Sequence, residues 1–216
     1  MLERMEAFFR DRLSEYDEHM RTAIEGADEF YRYTAGLLPM ESGAEVLDLG
    51  CGTGLELEEY FGLNPGAHIT GIDLSEDMLE RLAGKFPNRQ MQLICASYFD
   101  AELGYERYDA AVSVESLHHF PGERKLGLYR RLHQALKPEG YFVLTDYFAE
   151  SDALEREYFE TLERLKREQG ISDDAFYHYD TPLTAEHEME VLKQAGFGEV
   201  RALKSWSTTS VILARR

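Results

Sequence analysis

The chain has 216 residues and carries 23 lysines and arginines against 41 aspartates and glutamates, a formal net charge of −18. Its length predicts a single domain over residues 1–216 with a substantial core, and the acidic balance disfavours nucleic acid as a partner. No segment approaches the ~20 apolar residues of a membrane span, and the N-terminus lacks the apolar core of a signal peptide. Cys51 and Cys95 make no metal-like pair, which predicts buried, reduced thiols in a cytoplasmic protein.

The first 41 residues precede the first predicted strand and carry two helical patterns. Apolar residues at positions 2, 5, 8, 9 and 13 form one helical stripe, which the polar residues 14–20 are predicted to interrupt. A second helix is predicted over residues 27–38, where Pro39 ends it. These two segments are predicted to form a pair of packing helices.

A glycine-rich turn follows in residues 45–54, whose sequence is EVLDLGCGTG. A short apolar strand, three alternate glycines and an immediate helix start are typical of a nucleotide-binding α/β unit. The glycines allow the backbone to approach a ligand that a Cβ would exclude. The dinucleotide fingerprint requires a third glycine at position 55, where this chain has leucine, and this disfavours a dinucleotide. Glutamates around the turn disfavour a pyrophosphate, so the loop favours a ligand with a cationic end.

The rest of the chain alternates strands with helices, which predicts a largely parallel sheet. A charged helix and a loop rich in tyrosine and aspartate, at residues 152–169 and 170–182, exceed what a plain sheet of this kind needs. Strands are predicted at 67–73, 90–95, 108–114, 141–146, 199–204 and 207–214, and helices at 76–86, 122–136 and 184–195.

Four segments in order carry a resemblance to a known family. With Asp48 the glycine turn reads D-x-G-x-G-x-G, and residues 69–75, 108–113 and 136–144 follow it. Together they resemble the class I S-adenosylmethionine (SAM)-dependent methyltransferases over roughly residues 42–216. The resemblance implies a Rossmann-like, seven-stranded, mostly parallel sheet of order 3-2-1-4-5-7-6 with helices on both faces. It also implies SAM as methyl donor and S-adenosylhomocysteine (SAH) as product.

The resemblance assigns the cofactor-binding residues. Asp73, at the end of the second predicted strand, is expected to accept both ribose hydroxyls. Asp48 is expected to brace the glycine turn or to attract the methionine ammonium. Ser97 stands where relatives usually place an acid for the adenine amino group, with Asp100 as the alternative acid. The expected set is Asp48, Gly50, Cys51, Gly52, Gly54, Asp73, Leu74, Met78, Ser97, Tyr98 and Glu115.

His118 and His119 are the first candidates for catalysis, because they follow the fourth predicted strand at the edge where open α/β sheets bind ligands. Methyl transfer depends mainly on alignment in a dry pocket, and a base is needed only when the acceptor holds its proton. Histidine has a suitable pKa for that role, although the pair is equally able only to shape the cofactor site. Tyr16 is expected to shield the sulfonium and reach the acceptor. The spacings match no metal motif, so no metal site is predicted.

In relatives, a helical N-terminus folds over the cofactor, so residues 1–41 are expected to form a lid and residues 151–183 a cap after strand five. The aromatic residues of the cap suit a small organic substrate. The predicted function is methyl transfer from SAM to a small molecule. The alternatives are a tRNA- or protein-modifying methyltransferase, a SAM-binding protein without turnover and an NAD-type oxidoreductase, which Leu55 disfavours. The acceptor atom is not identified, and a homodimer is left open.

Overall fold

Seven strands alternate with helices in the computed structural model, which describes residues 1–171 and 175–216. Three residues of the predicted cap, 172–174, lie outside the described residues. The helices are α1 (Met5–Ala23), α2 (Ala27–Ala35), α3 (Leu55–Leu63), α4 (Glu76–Lys85), α5 (Gly122–Ala135), α6 (Asp152–Gln169) and α7 (Ala185–Gln194). The strands are β1 (Glu45–Leu49), β2 (His68–Asp73), β3 (Gln90–Cys95), β4 (Tyr108–Val114), β5 (Leu136–Tyr147), β6 (Glu199–Trp206) and β7 (Thr209–Arg215).

The strands form one sheet of order β3-β2-β1-β4-β5-β7-β6, which confirms the predicted fold. The first five strands are parallel, and β7 lies antiparallel between β5 and β6. Alternate residues of β1 enter the cores on opposite faces: Val46 packs in one hydrophobic cluster and Leu47 in the other. Both faces are therefore covered, and the carboxyl ends of the parallel strands share one edge of the sheet.

The boundary of β5 differs from the predicted one. The strand begins at Leu136 rather than at residue 141, because Leu136 pairs with Tyr108 ahead of a register shift in β4. The lead-in with Pro138 and Gly140 is therefore part of the strand and not a preceding loop.

The predicted break at residues 14–20 is wrong, because α1 runs through them without interruption. These residues contain neither glycine nor proline. Positions 5, 9, 16 and 20 lie on one helix face, and their side chains join the two core clusters. Packing of this apolar face outweighs the polar character of the stretch.

Helix α1 is held against the glycine turn and α4 by ionic contacts. Asp17 lies 3.0 Å from the Arg81 guanidinium and 2.8 Å from Lys85 Nζ. The Thr53 hydroxyl donates to the other oxygen of Asp17 at 2.5 Å, and Arg81 donates to the carbonyl of Leu13 at 2.9 Å. The helical N-terminus thus lies over the carboxyl edge of the sheet.

Two further properties concern the whole chain. Among the described helices, none combines the length and apolar character needed to span a bilayer. Both cysteines are free, but only Cys51 is buried. The prediction of a buried thiol is wrong for Cys95, because β3 forms the exposed edge of the sheet.

Candidate functional site

The glycine turn joins β1 to α3 with three glycines in the left-handed region. A Cβ at Gly50 would lie 2.0 Å from the Ser116 hydroxyl oxygen, so packing alone requires this glycine. At Gly52 (φ +47°), the nearest atom to an added Cβ would be the Tyr16 hydroxyl oxygen at 3.8 Å. Gly54 caps α3 and would place a Cβ 2.4 Å from Leu82. The protein therefore leaves open space above Gly52, where a ligand can approach the backbone.

Asp73 connects the end of β2 to this turn. One carboxylate oxygen accepts the backbone N–H of Gly52 at 2.9 Å, and the other accepts that of Ser75 at 2.8 Å. Burial raises the pKa of Asp73 above its ordinary value, although these N–H groups act in the opposite direction. Because a carboxylate offers about four lone-pair positions, Asp73 still has acceptor capacity for ligand hydroxyls.

Asp48 and Glu56 form a buried acidic pair beneath the turn. Within the described part of the chain, neither carboxylate oxygen of Asp48 has a hydrogen-bond partner, and neither does the Oε1 atom of Glu56. Burial raises the pKa of both carboxyl groups, and the charge of Glu56 raises that of Asp48 further. Buried carboxyl oxygens without partners are costly, and a cationic ligand group would relieve that cost. The open space at Gly52, the acceptor at Asp73 and this acidic pair fit SAM, which carries hydroxyls and an ammonium group.

The cofactor pocket brings together most of the predicted cofactor residues. Four predicted residues are outside its lining: Asp48, Cys51, Gly54 and Ser97. The hydroxyl oxygen of Ser97 accepts the backbone N–H of Phe99 at 3.1 Å, so this serine stabilises a local turn. The pocket is lined by Met5, Glu6, Phe9, Tyr16, Gly50, Gly52, Asp73, Leu74, Ser75, Met78, Tyr98, Glu115, Ser116 and His119.

Sequence reasoning assigned Tyr16 of α1 to the site but missed the residues at the start of this helix. Met5, Glu6 and Phe9 all line the pocket, as does Tyr16 about two turns further along the helix. The spacing of residues 5, 9, 16 and 20 contained the signal, but the assumed break at residues 14–20 divided the stripe. Ser75 and Ser116 also line the pocket, although the sequence indicates Ser75 only as a helix cap and indicates no role for Ser116.

A second cavity of about 660 Å³ adjoins the cofactor pocket. The two spaces share Phe9, Tyr16, Glu115 and His119. The cavity lies between α1, the end of β5 and the segment after α6. Its other lining residues are Phe8, Arg12, Glu15, His19, Met20, Ala23, Ile24, Glu25, His118, Tyr147, His178, Asp180, Thr208 and Thr209.

Tyr16 lies where the two spaces meet. Burial, followed by the charge of Asp73, raises the pKa of its hydroxyl far above the ordinary value, so the phenol is neutral. Its ring packs edge-on against Phe9 with 6.1 Å between the centroids. A neutral hydroxyl on an apolar ring is thereby placed beside the glycine turn.

His118 and His119 occupy a short 3-10 turn after β4 and face the second cavity. The Nδ1 of His118 lies 2.6 Å from Asp146 Oδ1. Burial alone would lower the pKa of His118, but Asp146 outweighs it and raises the pKa to about 9. Burial and the charge of His118 lower the pKa of His119. Asp180 lies near both rings; burial raises its pKa, but His119 and His118 outweigh burial and hold it well below its ordinary range.

Known proteins show the same organisation. Residues 46–140 match the family model described as a methyltransferase domain. A carboxy-S-adenosyl-L-methionine synthase of Wolinella succinogenes is 30% identical, covering 99% of this chain and 92% of the relative. A sterol 24-C-methyltransferase of Gibberella zeae is 26% identical, covering 84% of this chain and 46% of the relative.

Solved structures share the fold. Human N-acetylserotonin methyltransferase in complex with SAM aligns at a TM-score of 0.66 and 20% identity, covering 98% of this chain and 59% of that chain. The YcgJ protein from Bacillus subtilis aligns at a TM-score of 0.68 and 13% identity, covering 88% of this chain and 98% of that chain. The sequence relatives and the residues around the glycine turn lead to the same conclusion. The chain belongs to the class I SAM-dependent methyltransferase family.

Proposed function

We propose that this enzyme transfers the methyl group of SAM to a small molecule bound in the second cavity. The observation that carries the proposal is the adjacency of the two spaces, which share the lining residues Phe9, Tyr16, Glu115 and His119. The cavity of about 660 Å³ falls within the ~300–1,000 Å³ range of small-ligand sites. Its position between α1 and the cap segment supports an acceptor that enters whole, rather than a side chain of a macromolecule.

The residues predicted to be catalytic have separate roles in this proposal. When bound, SAM supplies a methyl group on a positively charged sulfur. Tyr16 covers the junction of the two spaces and aligns the acceptor, which favours transfer through proximity and exclusion of water. His118 and His119 face the polar group of the acceptor from the cavity wall.

The charges of the cavity favour a neutral or cationic acceptor. Four acidic residues line it, namely Glu15, Glu25, Glu115 and Asp180. Its arginine, Arg12, lies 3.8 Å above the Phe8 ring and 3.1 Å from Glu3. Without a bound metal ion, an anionic acceptor would meet these four acidic side chains against only Arg12 and the protonated His118, which costs free energy in a partly buried site.

Synthesis of carboxy-SAM is the second candidate, because the Wolinella relative with that name aligns over 99% of this chain. The same acidic lining disfavours it, since a carboxylate-bearing partner would have to bind beside Glu115 and Asp180. The product therefore distinguishes the two functions.

The test is to supply SAM labelled in its methyl group together with a small-molecule extract, tRNA and protein. We expect label in the small-molecule fraction and stoichiometric formation of SAH. Label in tRNA or protein, carboxylated SAM detected by mass spectrometry, or SAH binding without transfer would contradict the proposal.

Tyr16 gives a prediction for the acceptor step. Tyr16→Ala is expected to lower kcat/KM by ~100-fold, because the acceptor loses its alignment against the glycine turn. Tyr16→Phe keeps the ring and should retain SAH affinity within about threefold, while kcat falls through loss of the hydroxyl contact. The measurement is steady-state kinetics with the acceptor found above. Wild-type kcat/KM in Tyr16→Ala would remove Tyr16 from the site.

Helix α1 is proposed to act as the lid, and Asp17 is its main attachment. Burial raises the pKa of Asp17, but hydrogen bonds from Lys85 and Thr53 outweigh it and lower the pKa. The folded pKa thus lies below the unfolded one, so the contact is present above the ordinary aspartate pKa. It is lost only as the pH falls through the folded value.

Asp17→Asn should therefore loosen α1 at neutral pH. Trypsin is expected to cleave within residues 1–23 several-fold faster than in wild type, because lids come from the less stable parts of a fold. SAH should slow cleavage of the wild type. Asp11→Asn is the matched control, since Asp11 is exposed on the same helix and pairs with adjacent Arg10. Equal cleavage of both variants and of the wild type would contradict the lid.

A further inference from the structure

Three side chains present ligand atoms to one point on the cavity wall. Asp180 Oδ1 lies 3.1 Å from His119 Nδ1 and 3.6 Å from His118 Nε2. These three atoms lie within 4.8 Å of one another. Donor atoms bound at about 2.0–2.1 Å in a tetrahedral site are separated by ~3.3–3.4 Å. The separations of 3.1 and 3.6 Å lie on either side of that value, and the two histidine nitrogens are within 4.8 Å of each other.

The contact between His119 and Asp180 leaves one atom of each side chain without an aligned hydrogen bond. Their atoms Nδ1 and Oδ1 are buried and have no aligned hydrogen-bond partner among the residues described. The His119 side chain is 4% exposed and that of Asp180 is 45% exposed, so the buried part of Asp180 is the oxygen that faces the histidines. Buried polar atoms without partners are costly, and a cation between them would satisfy both at once.

Asp146 holds His118 in the orientation that a metal ligand requires. Asp146 accepts His118 Nδ1 at 2.6 Å and the backbone N–H groups of Leu117 and Tyr147 at 2.9 and 3.0 Å. The Nε2 atom of His118 is thereby directed at Asp180. A carboxylate behind a ligating histidine is the usual outer partner in metal sites.

The backbone also fixes the position of Asp180. The N–H of Thr181, the next residue, donates to the carbonyl of His118 at 2.9 Å. The group formed by Glu115, His118 and Asp146 is a weaker candidate, because its His118 Nδ1 is already bonded to Asp146. The site therefore lies on the Asp180 side of His118.

We propose that His118, His119 and Asp180 bind one divalent first-row transition-metal ion of the zinc type. Two imidazoles and one carboxylate are a donor set that such ions prefer. Three protein ligands leave coordination positions free, and the cavity lies in front of them. The position of the acceptor in that cavity rests on the proposed function. An acceptor bound there would bring its oxygen or nitrogen donor to the ion. Sequence spacing gave no sign of the site, because Asp180 comes from a distant segment.

The experiment uses the full chain without an affinity tag, treated with a chelator and titrated with Co²⁺ in the absence of SAM and acceptor. We expect one Co²⁺ per chain, with visible absorption typical of nitrogen and oxygen ligands, and displacement by Zn²⁺. Asp180→Asn and His119→Gln should each weaken binding at least ~100-fold, and Asp146→Asn by ~10–100-fold. His68→Ala is the control, since His68 pairs with Glu45 outside both spaces, and it should bind normally.

Thermal unfolding followed by circular dichroism, measured on every variant, shows that each chain is folded. The absence of saturable Co²⁺ binding by folded wild type would overturn the proposal, as would equal Co²⁺ affinity in wild type, Asp180→Asn and His119→Gln. Metal binding without any methyl transfer would contradict the proposed function and leave the metal site standing. Methyl transfer without metal binding would overturn the metal site and leave the proposed function standing.

Discussion

Gly52→Val is expected to abolish SAH binding in a chain that still folds. In the structure, a Cβ at this position has the Tyr16 hydroxyl oxygen as its nearest neighbour at 3.8 Å, so the protein itself has room for it. The added atoms occupy the space through which a ligand contacts the turn. The affinity of the wild type is expected to be micromolar, roughly −8 kcal/mol, and calorimetry should detect no SAH binding by Gly52→Val.

The positive φ at residue 52 requires a control for backbone strain. A branched residue in the left-handed region costs about 1–2 kcal/mol or more wherever it is placed. Gly170 has φ +61° with no atom within 4 Å of an added Cβ, and it ends α6 away from the turn. Gly170→Val should lose comparable thermal stability and bind SAH normally. Normal SAH binding by Gly52→Val would mean that the turn is only structural.

Asp73→Ala is expected to weaken SAH binding by at least about tenfold. Its carboxylate would accept two ribose hydroxyls, and each charge-assisted bond contributes about 1.5–3 kcal/mol. The same carboxylate receives the N–H groups of Gly52 and Ser75, so loss of the turn's support adds to the effect. Calorimetry with SAH gives the change directly.

Asp109→Ala is the matched control for this substitution. The carboxylate of Asp109 also accepts a backbone N–H, that of Glu45 at 2.9 Å, and it pairs with Lys137. It lies near the amino end of β4, away from the ligand edge. SAH affinity should be unchanged in Asp109→Ala. Unchanged affinity in Asp73→Ala as well would exclude the ribose assignment.

The sheet could be predicted from the sequence because its signals are local. Apolar runs, turn glycines and the cap at Ser75 each specify a short segment, and the fold family supplies their order. The cap is observed, with Ser75 accepting the N–H of Met78 at 3.3 Å. The break predicted in α1 is wrong because the helix depends on non-local interactions. Contacts of Asp17 and Tyr16 with distant elements stabilise it through residues 14–20. Local polarity was an unreliable guide where tertiary packing dominates.

Residues of the candidate site could be predicted from the sequence only where they directly follow a strand of the motif. Gly52 and Asp73 lie at strand ends, and their positions can be deduced from the motif. Asp180 cannot be placed in this way, because its position depends on the path of the chain after α6 and on the bond from Thr181 to His118. Ser97 shows that position in the motif does not determine a role. The resemblance assigns it to the adenine, but its hydroxyl accepts the backbone N–H of Phe99 and stabilises a local turn.

A crystal structure of the enzyme with SAH would test the central claim most directly. The account predicts that both ribose hydroxyls donate to Asp73, that the ammonium lies nearest Asp48 and Glu56, and that the sulfur lies beside Tyr16. The sulfur should face the cavity of about 660 Å³. SAH bound away from the glycine turn, or with its sulfur directed away from that cavity, would contradict the account.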